Sequence, residues 1–134
     1  MKQNRRRFLK TAGAVLIFSG IPVPAFAASG KMKIGIVGSG RVGGTLGSVW
    51  VKAGHEVMFS SRNIEHDKEL AARLGPNARA GTPRAAAAFG EVLTVSVPYR
   101  ALPDVGKELG ELLKGKVMID TCNPFPSRDG EIAN

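Results

Sequence analysis

Three glycines with a phosphate-binding spacing, Gly38, Gly40 and Gly43, are the residues whose arrangement points most directly to chemistry. They follow an apolar run, Met32–Val37, and precede a segment with helical periodicity. We expect the first glycine to allow a tight turn, the second to leave room for a phosphate, and the third to let helix and strand pack closely. The N-terminus of the helix would add free N–H groups and a partial positive charge. The stretch therefore predicts a site for the pyrophosphate of a dinucleotide.

The residues about 20 positions beyond the glycines indicate which dinucleotide binds. NAD-preferring domains carry an Asp or Glu there, which accepts hydrogen bonds from the ribose 2′-OH. Here the chain instead reads Ser60-Ser61-Arg62-Asn63. Hydroxyls and a guanidinium can bind a 2′-phosphate that a carboxylate would repel, so the cofactor is predicted to be NADP. The alternative is that Arg62 is a solvated charge after a strand, and Arg41 is a weaker second candidate for phosphate contact.

The elements that must position these residues alternate regularly between strand and helix. A doubly wound parallel sheet of about five strands, an α/β fold of Rossmann type, follows from that order. Thr82 and Pro83 predict the start of the third helix, and Val92–Val97 is typical of a central strand that is covered on both faces. The predicted strands are 32–37, 56–61, 78–80, 92–97 and 117–120, and the predicted helices are 41–53, 65–74, 83–89 and 102–113.

The carboxyl ends of these strands should bring several segments to one edge of the sheet, where ligands bind in such folds. Val97-Pro98-Tyr99 follows the fourth strand, and Thr121-Cys122-Asn123-Pro124 follows the fifth. Tyr99 or Cys122 could act as a proton donor. Packing of both side chains at the strand ends is the favoured alternative, because neither has a partner such as a nearby base. Catalytic residues are therefore left unassigned.

The N-terminal residues predict export rather than a folded element. Asn4-Arg5-Arg6-Arg7-Phe8-Leu9-Lys10 resembles the twin-arginine signal, and an apolar run, Thr11–Ile21, follows it. Ala25-Phe26-Ala27 is a typical site for signal peptidase, so we expect cleavage after Ala27 and a periplasmic or otherwise exported product. An uncleaved anchor is the alternative, although the apolar run is shorter than the ~20 residues that span a bilayer. The domains are thus predicted as 1–27, the signal peptide, and 28–134, the nucleotide-binding domain.

The strongly basic composition reflects this signal. The chain carries a formal net charge of +8, and five of its basic residues lie before Ala27, which leaves +3 on residues 28–134. No basic helix with interleaved aromatic residues remains, so nucleic acid is not an expected partner. The single cysteine, Cys122, cannot form an internal disulfide, and no Cys-x-x-Cys or His cluster predicts a metal.

Three stretches together resemble a known family: MKIGIVGSGRVGGTLGSVWVKAGHEVMFSSRN, VSVPYRALPDV and GKVMIDTCNPF. They are similar to the N-terminal nucleotide-binding domain of the coenzyme F420-dependent NADP oxidoreductases, which is related to the catalytic N-terminal domain of pyrroline-5-carboxylate reductases. The resemblance covers about Met32–Phe125. It implies that the pyrophosphate turn is lined by Ser39, Arg41 and Val42, and that the 2′-phosphate is held by Ser61, Arg62 and Asn63. It also implies that the path from adenosine to nicotinamide is flanked by Val97, Pro98 and Tyr99, and that Asn123 and Pro124 lie near the nicotinamide.

The chain departs from the family pattern after the fifth strand, because Asn134 follows that strand closely where the family continues. Residues Val117–Ile119 are therefore predicted to form an unprotected sheet edge, which a second copy or a partner chain would cover. The expected function is an NADP-binding domain of an exported reductase that transfers hydride to a small-molecule acceptor of deazaflavin, flavin or imine type. A non-catalytic NADP-binding module and a fragment without the acceptor site are the alternatives.

Overall fold

The computed structural model describes residues 30–133, and these residues contain one parallel sheet with helices on both faces. The strands are ordered β3-β2-β1-β4-β5, and every neighbouring pair is parallel, which confirms the predicted doubly wound sheet. In chain order the elements are β1 (Lys33–Val37), α1 (Arg41–Lys52), β2 (Glu56–Ser60), α2 (Ile64–Leu74), β3 (Ala78–Ala80), α3 (Pro83–Phe89), β4 (Val92–Val95), a 3₁₀ turn (Tyr99–Ala101), α4 (Leu102–Leu113), β5 (Val117–Asp120), α5 (Pro126–Asp129) and a final 3₁₀ turn (Gly130–Ala133).

The central strands are apolar because helices cover both of their faces. All four residues of β4 are buried, as are four of the five residues of β1. One core cluster lies between the sheet and α1 and α2, and it includes Ile36 and Phe59 with Trp50 packed against it. The other cluster lies on the opposite face and includes Leu93 and Leu109.

Local capping residues set the helix boundaries to within one residue of those predicted from the sequence. The Thr82 hydroxyl accepts a hydrogen bond from the Ala85 N–H at 3.1 Å, and Pro83 occupies the first turn of α3. α1 ends before Gly54, whose φ of +97° lies in the left-handed region that glycine favours. α2 begins one residue earlier than predicted, because the Asn63 side chain caps it.

Several boundaries differ by one residue from the sequence-based expectation, at the start of β1 and at the ends of α1 and β2, and two differences are larger. β4 ends at Val95 rather than Val97, where its pairing with both neighbouring strands stops. Beyond β5, the short helix α5 and the final 3₁₀ turn were not predicted.

The edge strand β5 exposes its apolar residues, as predicted. The exposed fractions are 63% for Val117, 47% for Met118 and 37% for Ile119. On its paired side β5 bonds to β4, and its other side carries no strand among residues 30–133. This edge therefore leaves apolar surface and backbone hydrogen-bonding groups open to solvent in the described part of the chain.

The predicted signal peptide, residues 1–27, lies outside the described residues. Within residues 30–133, no helix has the length and hydropathy needed to cross a membrane. In the same residues, no three His, Cys, Asp or Glu side chains are grouped in a way that would hold a metal ion.

Candidate functional site

The glycine turn between β1 and α1 is held against the end of β2. Gly38 has a φ of +100°, and the N–H groups of Gly38 and Ser39 both donate to the Ser60 carbonyl, at 2.9 and 3.0 Å. A Cβ on Gly38 would lie 2.7 Å from the carbonyl carbon of Ser96, closer than side chains pack. A Cβ on Gly43 would overlap the Gly38 carbonyl oxygen. The first and third glycines thus have the predicted turn-forming and packing roles.

The second glycine leaves open space at the start of α1. A Cβ on Gly40 would meet nothing within 4 Å, and Gly40 caps α1 without any side-chain hydrogen bond. The first turn of α1 has no acidic residue, and its leading N–H groups, those of Arg41, Val42 and Gly43, have no acceptor within the helix. This geometry fits an anionic group such as a pyrophosphate, which would approach bare backbone here.

The loop after β2 presents the cationic side chain of Arg62 toward the same space. Arg62 is exposed and lines a cavity together with Gly38 and Gly40. Its two neighbours have local partners instead. The Ser61 hydroxyl accepts from the Asn63 N–H at 3.0 Å, and the Asn63 side chain accepts from the His66 N–H at 3.2 Å. Of the three residues predicted to hold a 2′-phosphate, Arg62 is the one whose side chain is unengaged within the described residues.

A buried carboxylate, Asp67, connects the two loops. Asp67 is fully buried, and its Oδ1 accepts from the Ser39 hydroxyl while its Oδ2 accepts from the Ser61 hydroxyl at 2.9 Å. The side chain of Ser39 therefore points away from the turn's open face, and Ser39 is 1% exposed. Asp67 was not among the site residues predicted from the sequence.

The helical spacing contained a usable indication of this residue. α2 has an inward stripe at i, i+3, i+4 and i+7. The residues at those positions are Asp67, Leu70, Ala71 and Leu74. The periodicity itself therefore places Asp67 toward the protein interior.

The cavity beside the glycine turn is about 430 Å³ and reaches from β1 to α4. Six of the residues predicted for the site line it, and α4 contributes Asp104, Val105 and Glu108 to the opposite wall. The six residues are Gly38, Gly40, Ser61, Arg62, Val97 and Pro98. The structure thus brings together the glycine turn, the loop after β2 and the loop after β4.

Other residues predicted for the site lie elsewhere. Arg41 lines a neighbouring groove of about 330 Å³ between α1 and α2, together with His66. Tyr99 packs against the core cluster around Leu93. Asn123 and Pro124 do not line the 430 Å³ cavity.

Cys122 is a buried core residue. Its Sγ accepts from the Val97 N–H and donates to the Val95 carbonyl, both at 3.4 Å. Burial raises the pKa of the Cys122 thiol, and hydrogen bonding and charge from Asp120 add to that increase. The environment thus favours the neutral thiol, which agrees with the packing interpretation of this side chain.

A second carboxylate, Asp129, holds the segment after β5 against the loop after β4. Its oxygens accept from the Phe125 N–H at 2.8 Å and from the Arg100 N–H at 3.3 Å. Hydrogen bonding to the neighbouring Arg128 guanidinium is the main reason that the pKa of Asp129 falls to about 2. Because Arg100 lines the 430 Å³ cavity, Asp129 helps to position one wall of the site.

Comparison with known protein families matches most of the described domain. The model of the family described as NADP oxidoreductase, coenzyme F420-dependent, matches residues 33–124. No curated protein shows a significant match to the chain.

Solved structures share the fold over about three quarters of the chain or slightly less. A candidate F420-dependent NADP-reductase from Arthrobacter sp. FB24 is 25% identical, with a TM-score of 0.61 over 69% of this chain and 46% of that one. An imine reductase from Myxococcus stipitatus in complex with NADP+ is 23% identical, with a TM-score of 0.60 over 72% of this chain and 33% of that one. The 3-hydroxyisobutyrate dehydrogenase of Mycobacterium tuberculosis is 18% identical, with a TM-score of 0.61 over 74% and 34% of the two chains. The chain thus spans between a third and a half of the length of these structures.

Proposed function

The chain belongs to the coenzyme F420-dependent NADP oxidoreductase family, and on that premise we propose that it is the NADP-binding domain of a reductase. One observation carries the proposal: the open backbone at Gly40 lines the same cavity as the guanidinium of Arg62, which has no partner among residues 30–133. A pyrophosphate and a 2′-phosphate lie on one dinucleotide, and a site for that ligand needs both features within one cleft.

The proposed binding mode assigns each phosphate to a different element. The N–H groups at the start of α1 hold the pyrophosphate, supported by the positive end of the helix dipole. Arg62 holds the 2′-phosphate through charge-assisted hydrogen bonds, and the backbone of Ser61 and Asn63 shapes the loop that carries it. The adenosine lies in the 430 Å³ cavity between Arg62 and the α4 wall at Val105.

The chemistry itself comes from the cofactor, which when bound supplies or accepts a hydride at its nicotinamide. The residues after β4 and β5 flank the nicotinamide half, with Val97, Pro98 and Tyr99 along the path and Asn123 and Pro124 near its end. Asp129 supports this region through the Arg100 N–H and through the turn that begins at Phe125. These residues orient the cofactor and exclude water from one side of it.

The acceptor is proposed to be a small molecule of deazaflavin, flavin or imine type. The family description supports the first of these, and the imine reductases among the structures of similar fold support the last. A non-catalytic NADP-binding module and a fragment without the acceptor site remain the competing proposals. The exposed β5 edge is the surface where a second copy or a partner chain would complete the domain.

Export is a separate proposal, which is supported by the sequence Asn4–Lys10 and by the Ala25-Phe26-Ala27 site. The twin-arginine machinery would then be a transient partner, and the mature domain would begin after Ala27.

The central test measures the affinities of the purified chain for NADPH and NADH by calorimetry. Arg62→Ala should weaken NADPH binding by roughly tenfold to a hundredfold, because a hydrogen bond to a charged group contributes about 1.5–3 kcal/mol, while NADH binding changes little. Arg73→Ala, an exposed arginine at the far end of α2, is the matched control. Equal losses for NADPH and NADH would refute the role of Arg62.

Turnover separates the competing functions. Oxidation of NADPH is followed with a deazaflavin, a flavin and a cyclic imine as acceptors. Oxidation with any of them supports the reductase, binding without oxidation favours the module, and absence of NADPH binding refutes both.

A further inference from the structure

Among residues 30–133, Asp67 is the fully buried acidic side chain that contacts both phosphate-binding loops. It accepts from Ser39 in the glycine turn and from Ser61 in the loop after β2. Within the described residues, no Lys, Arg or His side chain forms an ion pair with it. Burying a carboxylate without an ion pair costs free energy, and the hydrogen bonds from the two hydroxyls offset that cost.

The hydrogen-bond directions around Ser61 determine what that hydroxyl can offer a ligand. A hydroxyl has one hydrogen to donate. Two acceptors lie within reach of that hydrogen, Asp67 Oδ2 at 2.9 Å and the Asn63 carbonyl at 3.2 Å, while the Ser61 oxygen accepts from the Asn63 N–H. The Ser61 hydroxyl therefore has no hydrogen left for a phosphate, although its side chain is only partly buried beside Arg62.

We propose that Asp67 is a positioning residue that limits how tightly the site holds a 2′-phosphate. It fixes the loop that carries Arg62 to the glycine turn, and it withholds the Ser61 hydroxyl from the ligand. The 2′-phosphate is then bound by Arg62 and by backbone N–H groups, with a buried negative charge behind them. This inference rests on the proposed function.

Asp67→Asn separates positioning from general structural support. An amide keeps one acceptor for Ser39 and places its NH₂ group toward Ser61, because Ser39 is 1% exposed and has nowhere else to donate. The Ser61 hydroxyl then accepts from the amide, and its hydrogen is no longer held by a carboxylate. A bound 2′-phosphate, which is charged and therefore the stronger acceptor, takes that hydrogen in preference to the Asn63 carbonyl at 3.2 Å. The substitution thus adds one donor to the 2′-phosphate site and removes one negative charge.

The experiment measures dissociation constants of NADPH and NADH for the full chain by calorimetry. Asp67→Asn should tighten NADPH binding by about threefold to tenfold and change NADH binding by less than about twofold. The gain is smaller than that of a full hydrogen bond to a charged group, because the Ser61 hydrogen leaves the Asn63 carbonyl to reach the phosphate. Adding Ser61→Ala to Asp67→Asn should remove the gain. Glu69→Gln, which removes an exposed charge from the same helix, is the control and should show no gain.

The outcomes distinguish this inference from the proposed function. If the wild-type chain binds neither cofactor, the proposed function fails and this inference fails with it. If the wild-type chain prefers NADPH but Asp67→Asn leaves both affinities unchanged or weakens both alike, the inference alone is overturned. Should Asp67→Asn fail to fold, Ser61→Ala in the wild-type background decides: equal weakening of NADPH and NADH supports the proposal, and a loss confined to NADPH overturns it.

Discussion

Two glycines three positions apart should respond to alanine in opposite ways. At Gly40 the added Cβ meets nothing within 4 Å, and the φ of −69° is one that alanine also adopts. Alanine there reduces the entropy of the unfolded chain, which stabilises the fold by ~0.4–1 kcal/mol. Alanine is also a poorer helix cap than glycine, which destabilises the fold, so the two effects offset each other. We therefore expect the melting temperature of Gly40→Ala to stay within about 4 °C of the wild-type value.

Binding should change much more than stability in the same variant. The Cβ of Gly40→Ala would stand where a pyrophosphate must approach the backbone to within about 2.9 Å for hydrogen bonding. Losing one hydrogen bond to the charged phosphate costs ~1.5–3 kcal/mol, so the dissociation constant for NADPH should rise roughly tenfold to a hundredfold. NADH binding should weaken by the same factor, because both cofactors carry the pyrophosphate.

Gly43→Ala provides the contrast. Its Cβ would overlap the Gly38 carbonyl oxygen and lie 3.1 Å from Ile36 Cγ2. Forcing extra volume into such a contact costs ~1–3 kcal/mol, which corresponds to a fall of roughly 4–8 °C in melting temperature for each kcal/mol. Calorimetric titration and thermal unfolding of both variants would test the reasoning. Wild-type NADPH affinity in Gly40→Ala, or equal losses of stability in both variants, would refute it.

Two further predictions concern buried polar groups. Thr94 is fully buried in β4, and its hydroxyl has no hydrogen-bond partner within the described residues. Because Thr94→Val removes this unpaired polar group, the free energy of unfolding should rise by about 1 kcal/mol. A loss of stability in urea titration would contradict this. Asp129 has a pKa lowered to about 2 from an ordinary 3.8, so the stability that its carboxylate contributes is fully present above pH 3.8 and is lost as the pH falls toward 2. The difference in urea midpoint between the wild-type chain and Asp129→Asn should therefore be largest near neutral pH and shrink between pH 3.8 and 2. Asp104→Asn, on the exposed face of α4, is the control. A difference that does not change with pH would refute the stabilising role of the Asp129 carboxylate.

The sequence was sufficient to predict the structure where the interacting residues lie close together in the chain. The role of Gly43 depends on the Gly38 carbonyl five residues away, and the cap at Thr82 depends on a partner three residues away. Long-range partners decided the rest. β4 ends at Val95 because its pairing with β1 and β5 ends there. The apolar run continues to Val97 and gives no information about where the neighbouring strands end.

The missed carboxylates show the same limit. Asp67 has one partner 28 residues away, and Asp129 contacts Arg100 at a separation of 29 residues. Asp129 lies in a polar segment, where acidic residues are usually solvated, whereas the helical period of α2 already indicates an inward position for Asp67. The burial of Asp129 and the two hydroxyl partners of Asp67 follow from tertiary packing, which required the structure.

The double hydrogen bond to the Ser60 carbonyl has a consequence for the rate of cofactor binding. Ser60 is fully buried, and its hydroxyl also donates to the Ile36 carbonyl at 2.6 Å, so the acceptor that holds the glycine turn is itself immobilised. Ordering a free backbone costs about 1–2 kcal/mol of entropy per residue, and folding has already supplied that ordering here. The turn is therefore already in the conformation that binds a dinucleotide, and association requires no slow rearrangement of the turn. Differences in affinity among variants should then arise mainly in the dissociation rate.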